Sequence, residues 1–108
     1  RVMVTIGLAV VIRSAVLLFS GTDDKIWPSA DMSKRVIQRM DRFHVQIPHA
    51  HVSYRGAGHT CCIGDPKQSW PSLSSGAGGL QIGGTPEINK AAREDSWEKT
   101  LKFLKQNL

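Results

Sequence analysis

The sequence predicts an α/β fold in which part of a parallel sheet carries helices on its faces. Three observations lead there. Ala15 to Phe19 is an unbroken apolar run, the pattern of a strand buried on both faces in the middle of a parallel sheet. His49 to Tyr54 alternates, with Ala50, Val52 and Tyr54 on one face, as a half-buried strand does. Between these runs, and again after residue 84, apolar residues recur at helical spacing. Two strands and two helices make half a doubly wound sheet. The sheet is therefore expected to be incomplete, and residues 1–108 to form one partial domain.

Taken in order, Val2 to Ile12 is rich in β-branched residues and reads as an extended lead-in, weakened by Gly7. It is shorter than the about 20 residues that a membrane-spanning helix needs. A signal-peptide core is the alternative, but cleavage near Ala15 would cut into the best strand. That strand stops at the turn signal Ser20-Gly21-Thr22. Trp27-Pro28-Ser29 opens a helix, because proline suits a first helical position. Met32, Val36, Met40 and Phe43, with Ile37 beside them, form its core stripe, and Lys34, Arg35, Arg39 and Arg42 a solvated surface. Val45 to Pro48 is a connector, and a right-handed crossover sets the next strand parallel to the first. Gly56-Ala57-Gly58 then turns sharply and presents His59.

Residues 60–84 have no periodicity and form a long loop, of a length usual for functional or mobile segments. Thr85-Pro86-Glu87 is a helix start, with threonine as cap, and the helix is predicted to run to about Leu108. Trp97, Leu101, Leu104 and Leu108 form its expected core stripe. Lys99, Lys102 and Lys105 lie toward its carboxyl end, where cations suit the helix dipole. A half sheet leaves an open edge at Ala15 to Phe19, where parallel neighbours are expected, so the chain is expected to self-associate.

Composition narrows the classes. Hydrophobic content of 41% with 21% charged residues is globular rather than disordered. The net charge of +5 modestly favours anionic partners, phosphate-bearing ones included. The basic residues are spread along two helices with no dense cluster among aromatics, so no nucleic-acid partner is expected, and no membrane one. Cys61 and Cys62 are adjacent and make no disulfide framework, which points to the cytoplasm or another reducing intracellular compartment. The chain begins with Arg1 rather than methionine, as a fragment or processed product would.

Open α/β sheets place their chemistry at the carboxyl ends of the strands. Asp23 and Asp24 follow the first strand at once, as functional acids or as a polar turn capping the next helix. His59 follows the second strand and tips the balance. Acid after one strand and histidine after the next is similar to the tail of an α/β-hydrolase triad, whose chain order is nucleophile, acid, histidine. The sequence holds no G-x-S-x-G or G-x-C-x-G, so the expected object is the last part of a catalytic domain. Cys61 and Cys62 are poorly placed to act as nucleophiles, because they leave the histidine turn, and Ser74 and Ser75 lie in the loop without strand or helix context. His49 and His51 share a strand face, but no carboxylate or cysteine completes a metal set. That face reads as an ordinary exposed one, and neither metal nor cofactor is expected.

Three blocks carry a more specific likeness: V-L-L-F-S-G-T-D-D-K-I-W-P-S, then S-Y-R-G-A-G-H, then G-G-T-P-E-I-N-K-A-A-R-E-D-S-W-E-K-T-L-K-F-L. In order and spacing the chain resembles the carboxyl-terminal part of the acyl-CoA thioesterase and bile acid-CoA:amino acid N-acyltransferase family, dienelactone-hydrolase-like α/β-hydrolases. The resemblance covers Ile12 to Leu108 and leaves residues 1–11 as a poorly matched lead-in. It implies the last parallel strands and helices of that fold, with Asp24 as triad acid and His59 as triad histidine. Asp23 is the lesser candidate, because the family pattern places the acid third after the strand-end glycine Gly21. The nucleophile and the oxyanion-hole amides have no matching position.

The implied chemistry is acyl transfer from a thioester of acyl-CoA type. His59 would take the nucleophile's proton, and Asp24 would hold the imidazole in the right tautomer. The acyl-enzyme would be released by water or by an amine. Trp27 and Trp97 read as core anchors, while Trp70 either lines an acyl channel or makes a surface contact. The implied partner is the missing amino-terminal part of the hydrolase. The competing class is a non-catalytic remnant that serves as a binding or dimerisation module.

Overall fold

The computed structural model describes residues 8–12, 14–62, 65–67 and 81–108. Strands β1 (Leu8–Ile12), β2 (Ala15–Gly21) and β3 (His49–Tyr54) form one mixed sheet in the order β1-β2-β3. Helix α1 (Ser29–Arg42) joins β2 to β3, and helix α2 (Pro86–Asn107) closes the chain. β2 and β3 are parallel, with Val16 beside His49 and Gly21 beside Tyr54. β1 is antiparallel to β2, with Leu8 beside Phe19 and Ile12 beside Ala15.

β2 is therefore the central strand, and the open edge expected at Ala15 to Phe19 is occupied. The lead-in read as merely extended folds back on β2 as an antiparallel neighbour. Only Arg13 and Ser14 separate the β-branched run Val10-Val11-Ile12 from Ala15-Val16, a connection short enough for a hairpin although it lacks the usual glycine or asparagine turn. Every residue of β2 is buried, as the continuous apolar run requires.

The helices lie on opposite faces of the sheet. On one face Ala9, Val16 and Leu18 pack with Val36, Ile37 and Met40 of α1 and with Ile47. On the other, Leu17, Phe19, Ala57, Cys61 and Cys62 pack around Ala92 of α2, with Val52, Tyr54 and Phe103 at the margin. Phe43, expected in the α1 stripe, is instead 59% exposed, with the Arg39 guanidinium 5.0 Å from its ring centroid. It lies beyond the last helical turn. There His44 takes φ 55°, and the His44 and Val45 N–H groups bond the Asp41 and Met40 carbonyls at 3.1 and 3.0 Å. This pair of bonds is a Schellman ending with histidine where glycine is usual.

The start of α2 follows the sequence reading: the Thr85 side chain accepts from the Ile88 N–H, and Pro86 is the first helical residue. Its buried face does not. Leu101 and Leu108 are exposed, Trp97 and Leu104 are half-buried, and Asn89, Ala92, Ser96 and Thr100 are buried. The reason is polar. Asn89 accepts from the Gly58 N–H at 2.8 Å and donates to the Gly83 carbonyl at 3.2 Å. Those bonds fix the rotation of α2, and small side chains let it approach the sheet closely. Tyr54 adds a second tie, donating to Asp95 at 2.6 Å.

His49 and His51 lie on the face that α1 covers, so that face is not the exposed one expected. Both are half-buried. The His49 ring faces the Asp41 carboxylate at 2.6 Å and the Ile47 carbonyl at 2.7 Å, two acceptors that together call for an imidazolium. The Asp41 hydrogen bond, then that of Ile47, holds the His49 pKa above 6.5. His51 shares a 2.6 Å hydrogen bond with the buried Ser20 hydroxyl, and burial pushes its pKa down.

Two expectations follow. A Cβ on Gly21 would run into the Ala57 carbonyl and meet the Gly58 carbonyl oxygen at 2.8 Å. Gly21→Ala should thus destabilise the chain by roughly 1–3 kcal/mol, the usual cost of overpacking, measured by urea unfolding. The raised pKa of His49 makes its contribution full below its unfolded value of about 6.5 and lost as pH rises through the folded value. Asp41→Asn should therefore lower the thermal midpoint at a pH below about 6.5 and do so less well above it.

Candidate functional site

β2 and β3 are parallel, so their carboxyl ends lie side by side, and the loops leaving them meet. The β2–α1 loop brings Asp23 and Asp24, and the loop after β3 brings His59. Backbone bonds zip the two loops together. The Thr22 N–H reaches the Tyr54 carbonyl at 3.1 Å, and the Asp23 N–H reaches that of Ala57 at 2.9 Å. The Ile82 carbonyl accepts from the His59 N–H at 2.8 Å and from the Lys25 N–H at 3.3 Å, so one peptide group ties the acid loop to the histidine loop.

In this frame Asp24 and His59 meet. His59 Nδ1 lies 3.1 Å from Asp24 Oδ2 and 3.2 Å from Oδ1. An ionised carboxylate only accepts, so Nδ1 carries the proton and Nε2 is the nitrogen with a lone pair in the neutral ring. The Asp24 side chain is 2% exposed and that of His59 23%. Asp24 Oδ1 also accepts from the Ile26 N–H at 2.9 Å and the Trp27 N–H at 3.1 Å. Burial pushes the Asp24 carboxyl up. Hydrogen bonds from the Ile26 N–H, the Ser29 hydroxyl, the Trp27 N–H and His59 outweigh it, and the net pKa is below the ordinary 3.8. The acid is thus buried, ionised and held in place.

Asp23 has a different task. Its carboxylate accepts from the Gly84 N–H at 2.8 Å and pairs with Lys25 at 2.9 Å, and the Gly84 bond is the main cause of its lowered pKa. It pins the segment before α2 to the acid loop.

Trp27, read from sequence as a core anchor, is 40% exposed. Its ring meets the His59 imidazole edge-on, with centroids 4.8 Å apart and planes at 84°. No motif announces that contact. The signal available was position alone, three residues after Asp24.

The other candidates are not brought to His59. Cys61 and Cys62 are both 3% exposed in the α2-side core, their sulfurs 2.7 Å apart. The hydrogen bond from Cys61, then burial, pushes the Cys62 thiol far up, opposite to what a nucleophile needs. Ser20, hydrogen-bonded to His51, is 2% exposed and sits on the α1 face of β2. Trp70, Ser74 and Ser75 lie outside the described residues. Among the described residues, no three His, Cys, Asp or Glu side chains converge as a metal site would require, and no helix is long and apolar enough to cross a membrane.

Residues 3–108 match the family model described as BAAT / acyl-CoA thioester hydrolase C terminal. No individual curated protein matches the chain.

A lowered carboxyl pKa stabilises the fold above the unfolded value and loses that contribution as pH falls through the folded one. Asp24→Ala should flatten the acid limb of the stability profile below pH 3.8. At neutral pH it should cost at least the roughly 1.5–3 kcal/mol of one charge-assisted hydrogen bond. Urea unfolding across an acid pH series measures both.

Proposed function

Because the chain belongs to the BAAT / acyl-CoA thioester hydrolase C-terminal family, we propose that Asp24 and His59 are the acid and the histidine of an acyl-transfer triad. The observation that carries this reading is the 3.1 Å contact between a buried, ionised Asp24 and Nδ1 of a partly exposed His59. That contact sets the tautomer a general base needs, with Nε2 ready to take a proton. β2 and β3, with the two helices on their faces, are then the last part of an α/β-hydrolase fold.

The mechanism begins with Nε2 taking the proton of a serine or cysteine nucleophile as it attacks the thioester carbonyl. Asp24 stabilises the imidazolium through Nδ1. Collapse of the tetrahedral species expels the thiol, which leaves with a proton from Nε2. Water or an amine then attacks the acyl-enzyme, with Nε2 again as base. The nucleophile and the oxyanion donors come from sequence outside these 108 residues, in keeping with the lack of a G-x-S-x-G or G-x-C-x-G elbow. The two adjacent free cysteines favour a reducing intracellular compartment.

The purified chain should not hydrolyse acyl-CoA thioesters above background, since loss of even one oxyanion donor costs about 10²–10³ in rate. Adding an amino-terminal segment with a serine or cysteine elbow should restore turnover, and His59→Ala should abolish it. Turnover by the chain alone that vanishes in His59→Ala would place a nucleophile within it. Failure of every complementing segment would favour the binding-module reading.

A further inference from the structure

We propose that Trp27 is the positioning residue for His59: its indole holds the imidazole in the rotamer that aims Nε2 outward. The inference rests on the reading of His59 as proton carrier. The imidazole is tethered to Asp24 through one nitrogen, at 3.1–3.2 Å, the long end of the range for such contacts. With two carboxylate oxygens almost equidistant from Nδ1, this contact restrains the ring only softly: a swing about the Cβ–Cγ bond moves Nδ1 from one oxygen toward the other and tilts the ring with it. The tilt decides where Nε2 points.

Trp27 supplies the second restraint. Its ring stands against the imidazole in the T-shaped geometry that aromatic pairs favour. Its own position is set by the carboxylate it helps to orient, since the Trp27 N–H donates to Asp24 Oδ1 at 3.1 Å. One residue therefore touches both partners of the dyad, the acid through its backbone and the base through its side chain. At 40% exposure the indole is not filling the core. Pro28 follows it as the α1 cap, and the Ser29 N–H bonds the Trp27 carbonyl at 2.7 Å. The residue is thus fixed at the start of a helix, where its side chain has a stable base to push from.

The test reads the ring itself in the folded 108-residue chain, by nitrogen-15 and proton NMR of His59, and so is separate from any failure of the thioesterase reading. In the wild type, indole-to-imidazole NOEs and ring-current-shifted His59 protons are expected, with the Nδ1–H tautomer dominant. Trp27→Leu should change the His59 tautomer ratio by about two- to tenfold, the size of an aromatic pair contact. The His51 signals should stay put. Trp27→Phe, which keeps an aromatic ring, should restore most of the wild-type tautomer ratio. Wild-type spectra without indole-to-imidazole NOEs would overturn the proposal whether or not any variant folds. So would a folded Trp27→Leu whose His59 tautomer ratio matches the wild type.

Discussion

Everything at the candidate site depends on three backbones meeting where side chains would not fit. The end of β2, the turn before His59 and the segment before α2 cross within hydrogen-bonding reach. Gly21 lies against Ala57, Gly58 against Gly83, and Gly83 against Asp23, in each case too close for a Cβ. Gly83 and Gly84 also take φ of 84° and 71°, a region glycine enters without strain. Because the backbones touch, their own N–H and C=O groups can staple the loops. The loops that carry Asp24 and His59 are therefore held by peptide groups, and the His59 ring itself is left to its side-chain neighbours.

The two neighbouring acids divide the labour that such a junction creates. Asp23 binds the Gly84 N–H and keeps the third segment in place, while Asp24 binds the Ile26 and Trp27 N–H groups and orients the histidine. Asn89 completes the frame from the opposite side, satisfying Gly58 and Gly83 with one amide. A buried polar group needs its partners. Here that requirement outranks apolar patterning, and it sets which face of α2 looks inward.

This explains what could be read from the sequence and what could not. The Ala15 to Phe19 run, the proline and threonine helix starts and the glycine-bounded His59 turn each depend on local chemistry, and each was legible. The acid-then-histidine order was legible too, because parallel strands bring successive loops to one end of the sheet. The misreadings share a cause: they needed knowledge of a tertiary partner. Phe43 has helical spacing but falls beyond a left-handed His44. Leu101 and Leu108 have helical spacing but lie on a face that Asn89 turns away from the sheet. His49 and His51 look alike in sequence, yet one meets a carboxylate and the other a buried hydroxyl. Trp27 carries no pattern that could reveal its ring against an imidazole.

Asp24 Oδ1 belongs at once to a loop and to a dyad, since it receives two backbone N–H groups and faces His59 Nδ1. The side chain of His59 carries no such architectural duty, because the bond that anchors its loop runs from its backbone N–H to Ile82. The two partners therefore differ in evolutionary freedom. A lineage that gave up the proposed chemistry could replace residue 59 at the cost of its contacts with Asp24 and Trp27, leaving the loop bonds in place. Residue 24 would stay under selection as aspartate for the sake of the loop alone. In descendants of such a chain, an aspartate persisting at 24 beside a replaced residue 59 would mark a fold that has outlived its reaction.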